Sequence, residues 1–128
     1  MRVPPRDYRP LAELLVHVAA DGSGGVTAHA EHVAREYGRS RGEAARSMGG
    51  GAAEVLRECG YEPFAAEPGT LRLRNCPFGA VATRYPEVVC GLNVALVEGI
   101  LAGIGDETVS AVLEPAPGIC CVTIAEKR

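Results

Sequence analysis

"PEVVCGLNVALVEGILAG", residues 86–103, is the stretch whose reading decides the fold. Proline suits the first position of a helix, where its missing N–H has no partner to lose, and Glu87 meets the positive end of the helix dipole. From Val88 to Ile104 the run is apolar nearly all round. The pattern therefore predicts a long helix, to about Gly103, that other elements must cover. Asn93, Glu98 and three glycines interrupt the run, which argues against a membrane span.

Strand signals flank that helix on both sides. Tyr61 to Ala66 and Thr70 to Arg74 read as short strands around the turn Glu67-Pro68-Gly69. In the second of them Arg72 and Arg74 alternate with Leu71 and Leu73, so one face is expected to be wet, with an anion site as the other reading of the arginines. Phe78 to Tyr85 is a loop or short helix. Thr108 to Leu113 and Ile119 to Ala125 form a second hairpin around Pro115-Ala116-Pro117-Gly118.

Upstream the period is helical. Leu11, Leu14, Leu15 and Val18 mark a first helix, ended by the turn Asp21 to Gly25. Val26, Ala30, Val33 and Tyr37 form one stripe of a second helix, with Gly38 as its C-cap. Ser40 with Glu43 fits a capping box for a short third helix, which Met48-Gly49-Gly50-Gly51 should break. A fourth, about Ala52 to Cys59, ends at Gly60. The expected fold class is α+β: N-terminal helices, two β-hairpins forming an antiparallel sheet, and one long central apolar helix packed on it. Residues 1–128 are read as a single domain, with 1–60 mainly helical and 61–128 a ββαββ-like, cysteine-containing portion.

The chain of 128 residues is 47% hydrophobic, with no Trp and 23% charged residues, which suits one folded domain and not a disordered chain. Its net charge of -3 gives no electrostatic reason to bind nucleic acid. The polar, prolyl start MRVPPRDYRP does not read as a signal peptide. With five cysteines, the expectation is a cytoplasmic protein with reduced thiols, in which metal binding or redox sensing outranks a disulfide framework.

Cys76 sits where a strand hands over to a loop, Cys90 lies near the start of the long helix, and Cys120 and Cys121 stand in the final strand. A helix start favours the thiolate, and soft sulfur suits an iron–sulfur cluster or zinc. No Cys-x-x-Cys occurs, and buried cysteine also serves as a small hydrophobe, so spacing alone leaves both readings open. Neighbours in a strand point to opposite faces. Cys120 should share a face with Val122 and Ile124, toward the helices and Cys90. Cys121 should share the other face with Thr123 or lie at an edge.

The stretch "LRLRNCPFGAVATRYPEVVCGLNVALVEGILAG", followed by "LEPAPGICCVTI", resembles the C-terminal effector domain of ArsR/DeoR-like winged-helix transcriptional regulators, a group that includes the SufR-type repressors. "VPPRDYRPLAELL" resembles the segment that follows their DNA-binding domain, and the cysteine order is more distantly similar to 4-vinyl reductase domains. The resemblance implies a sensor or dimerisation module of transcription regulation, holding an iron–sulfur cluster or another metal such as zinc. It places Cys76, Cys90 and Cys120 on the family's cysteine positions. Family members carry a further cysteine before the last strand, and around Gly105-Asp106 this sequence has none. A fourth ligand then comes from Cys121 or from outside, or this branch has lost the centre. DNA would be reached only through a separate or missing winged-helix domain. The apolar surface of the long helix adds the expectation of a homodimer, with no membrane partner. The alternatives are a metal-free small-molecule-binding or dimerisation module, and a small redox protein.

Other residues have plainer readings. Cys59 has no family counterpart and reads as a packing residue. His29 and His32 stand three apart on one helix face but lack further ligands in the sequence. His17 pairs on the surface with Glu13. Glu98 either reaches the edge of the helix or faces a ligand pocket. "HVAREYGRSRGEAARSM" has the gross outline of a helix-turn-helix, with few apolar residues to seat its second helix. No nucleophile–base–orienter set or phosphate-binding glycine loop is legible, so catalysis is not expected.

Overall fold

The computed structural model describes residues 24–74, 85–116 and 119–127, with the backbone alone for 24–27. The first expected helix, Cys76, the 78–84 stretch and the His17–Glu13 pair lie outside the described residues. The elements are α1 (Gly24–Ser47), α2 (Ala52–Glu58), β1 (Pro63–Glu67), β2 (Thr70–Leu73), α3 (Pro86–Ile104), β3 (Val109–Leu113) and β4 (Val122–Glu126). The fold is α+β as expected, with both hairpins joined in one four-stranded antiparallel sheet of order β1-β2-β4-β3.

α3 is the central element. Proline stands at its first positions, Glu87 in its first turn, and Gly105 closes it in the left-handed region at φ 85°. The Gly105 N–H donates to the Leu101 and Ala102 carbonyls, and the Asp106 N–H to Leu101, so these two carbonyls of the last turn are satisfied. One side of α3 carries Val97, Ile100 and Leu101 into a core shared with Leu73, Val122, Ile124, and Val55 and Leu56 of α2. α1 covers the other side. α3 is long and apolar enough to cross a membrane by length and composition, but it is here the core helix between α1 and the sheet.

α1 corrects the expectation of two short helices. It runs unbroken for 24 residues, through the predicted C-cap at Gly38 and the predicted capping box at Ser40. Neither glycine breaks it, and both serve a contact. A β-carbon on Gly38 would overlap the carbonyl oxygen of Leu96, and one on Gly42 that of Ile100. Reciprocally, β-carbons on Gly99 and Gly103 would overlap the carbonyl oxygens of Arg35 and Arg39. The two helices therefore meet backbone to backbone, which only glycine allows. With no turn between 38 and 42, the helix-turn-helix outline disappears as well. The glycine break after Met48 does occur, with Gly49 at φ 78°.

The face of the sheet toward α3 carries Leu71, Ile124 and Ala111 in one cross-strand row. The row on the opposite face runs Phe64, Arg72, Thr123 and Val112. β4 is the interior strand, and its first three residues are buried. Ahead of β3, the Thr108 hydroxyl and N–H both donate to Asp106 Oδ1 and hold that carboxyl below its usual range.

Candidate functional site

The chain enters β4 through Cys120 and Cys121, and hydrogen bonds fix both. The Cys120 N–H donates to the Leu73 carbonyl at 2.9 Å, tying it to the end of β2. The Glu114 N–H donates to the Cys121 carbonyl at 2.6 Å, tying it to the end of β3. The strand proper starts at Val122, so face alternation does not govern the pair. Cys120 is buried in one apolar cluster with Val122 and Ile124. Cys121, expected to point away or lie at an edge, is buried in the same apolar cluster. Cys90, one turn into α3, is half-buried against that cluster.

Three of the four expected ligand cysteines thus belong to one core. The fourth, Cys76, lies outside the described residues, three positions beyond Leu73. Among the described residues no three His, Cys, Asp or Glu side chains are grouped to hold a metal ion. Cys90, Cys120 and Cys121 do not make a ligand set by themselves. The donor chemistry fits a soft metal, since among the described residues several thiols and no carboxylate enter this core, but a complete set requires Cys76.

Two features of this region were not anticipated from sequence. The Tyr61 hydroxyl donates to Asn93 Oδ1 at 2.5 Å, and both side chains are fully buried. A lone amide in an otherwise apolar helix was the available signal, because a buried amide needs a partner. The second feature is Arg72. Its Nη2 donates to the carbonyls of Glu114 (2.6 Å) and Cys120 (3.4 Å), so it clamps both ends of the 114–120 connection onto β2. The wet-face expectation holds for Arg74, which is exposed and lies over the Phe64 ring at 4.7 Å, and fails for Arg72. Arg72 Nε and Thr123 Oγ1, from paired positions on that face, are buried without a hydrogen-bond partner.

Replacing Arg72 by Met keeps the apolar stem and removes the donors. The loss should be about 1–2 kcal/mol, the scale of charged hydrogen bonds with some offset from removing the orphaned Nε. A urea midpoint reads the loss, and amide exchange at Cys120 should accelerate. An unchanged midpoint and unchanged exchange would show that the clamp does not hold the connection.

Of the other candidates, Cys59 also packs against this core, and burial pushes its thiol up, with the Arg41 charge opposing. Glu98 is exposed and pairs with Arg35 at 3.1 Å, a surface ion pair between α3 and α1. His29 and His32 stack on the surface of α1 with ring centres 6.5 Å apart. A groove of about 570 Å³ opens at the far end of α3, over Leu71, Leu101, Val109 and Ile124 with Glu67, Asp106 and Glu126 among its lining residues; no cysteine among the described residues lines it. Comparison with protein-family models gives no match for this chain, and neither the curated proteins nor the solved structures give one.

Proposed function

We propose that this chain is the effector domain of a cytoplasmic transcriptional regulator that senses a metal or iron–sulfur centre through cysteine thiolates. The observation that carries the reading is that Cys120 and Cys121 lie within one buried core and Cys90 packs against it. The backbone of Cys120 is held to Leu73, and three residues of chain cannot carry Cys76 farther than about 11 Å from that point. Cys76, Cys90 and Cys120 are the proposed ligands, with Cys121 the fourth. A bound centre would supply a cross-link, sensitive to oxidant or metal supply, between β2, α3 and the entry to β4. The protein's own part is to hold two thiols in an apolar wall and to fix the backbone beside them through Leu73, Glu114 and Arg72. DNA binding belongs to a separate winged-helix segment, and the domain acts by binding rather than catalysis.

A metal-free reading is favoured by one observation, the groove over Leu71 and Ile124. Its apolar floor and carboxylate rim would suit a small organic cation, and its volume falls in the ordinary ligand range. Thiol protection separates the two readings. Under argon, Cys76 and Cys90 should resist alkylation after ferrous iron with sulfide, or zinc, is added. Cys59 should label alike in both states, slowly because its thiol is held up by burial. An unchanged labelling pattern at all five cysteines would leave the groove as the sensing site.

A further inference from the structure

We infer that α1 is a dimerisation helix, pairing in parallel with α1 of a second copy of this chain. The inference does not rest on the cysteine reading. α1 turns Gly38 and Gly42 to α3 and leaves a different face outside. On that face Ala30, Val33, Tyr37, Ser40 and Ala44 recur at alternating steps of three and four, the spacing of a coiled-coil seam. Val33 is 52% exposed and Tyr37 55%, large apolar side chains that none of the described residues covers. Gly42 and Arg35 stand opposite the seam, where a heptad places its outermost position, so the same helix can pack on α3 and on a partner at once.

The flanking charges select the partner and its direction. Glu36 precedes Tyr37, and Arg41 follows Ser40. In a parallel pair each flanking residue meets the one five positions later on the other helix. Glu36 then meets Arg41 of the partner subunit, and symmetry makes the contact twice. In an antiparallel pair, Glu36 and Glu43 lie on the same flank and oppose one another, which is repulsive. Arg41 also reaches Glu58 at 3.2 Å, but that pair is exposed and its guanidinium can turn to the partner. A parallel pair sets both N-termini side by side. The dimer expected from the surface of α3 thus moves to α1, because α1 and the sheet already cover α3.

Sedimentation of the full chain, with circular dichroism as the check on folding, is the test. The parent should dimerise in the range of about 10–100 micromolar, as a seam of under three heptads allows. Val33→Glu should weaken the dimer at least about tenfold. Glu36→Arg and Arg41→Glu should each weaken it roughly tenfold, and mixing the two variants should restore it, because both cross-pairs then attract. A tighter dimer for Glu36→Arg would show antiparallel pairing. A dimer indifferent to Val33→Glu would place the interface elsewhere, and a parent that is monomeric throughout would end the proposal.

Discussion

Gly99→Ala is expected to destabilise the domain by about 2 kcal/mol, although alanine is the better helix former by roughly 1 kcal/mol. The sign follows from where the new methyl would go. It would overlap the Arg35 carbonyl oxygen and crowd the backbone of Arg39, and backbone cannot turn aside as a side chain can. α1 must lift from α3, opening the interface along its length. Gly99→Val should abolish cooperative unfolding, since a domain of this size holds only about 5–15 kcal/mol in all. Ala102→Val, at an exposed position of α3, is the control and should cost a few tenths of a kcal/mol. Urea midpoints read all three. Parent-like midpoints for both Gly99 variants would mean that the helices are not in backbone contact.

The second large effect concerns the metal. Cys90→Ser or Cys120→Ser should abolish metal bound in anaerobic preparations, because loss of one thiolate from a soft-ligand set leaves the remaining donors short of their coordination number. Cys59→Ser should retain it, since Cys59 caps the end of α2 beside Arg41 and is not among the proposed ligands. Cys121→Ser separates the ligand options: loss of metal makes Cys121 the fourth ligand, and retention assigns that place to a group from outside the chain. Serine nearly matches cysteine in volume, so the folding cost is confined to the hydroxyl it introduces. For the buried Cys120 that cost should be about 1–3 kcal/mol, which a urea midpoint measures independently of metal. Metal retained by both the Cys90 and the Cys120 variants would remove them from the ligand set.

Much of this fold was legible in the sequence because its signals were redundant. Pro86 and Glu87 mark the start of α3, its composition marks its central place, and Glu67-Pro68-Gly69 marks the first hairpin. The glycines of α1 were misread because one residue type serves two ends. Gly38 reads as a C-cap by local rules, and only the matched pairs Gly38/Gly42 and Gly99/Gly103 reveal a close crossing of two helices. The burial of Cys121 was not legible because the final strand reads as starting at Ile119, whereas β4 starts at Val122 and Cys121 lies in the segment that leads into it. Arg72 was misread because its partners are carbonyls of Glu114 and Cys120, more than 40 positions away, which no local pattern encodes.

The central claim is that these cysteines hold a metal or iron–sulfur centre, and the most direct measurement is made on the unmodified chain. Protein purified without oxygen should carry stoichiometric iron and labile sulfide with visible absorption that bleaches in air, or stoichiometric zinc without colour. Colourless protein with neither metal, and no uptake on anaerobic reconstitution, would contradict the account and leave Cys76, Cys90, Cys120 and Cys121 without a metal-binding role.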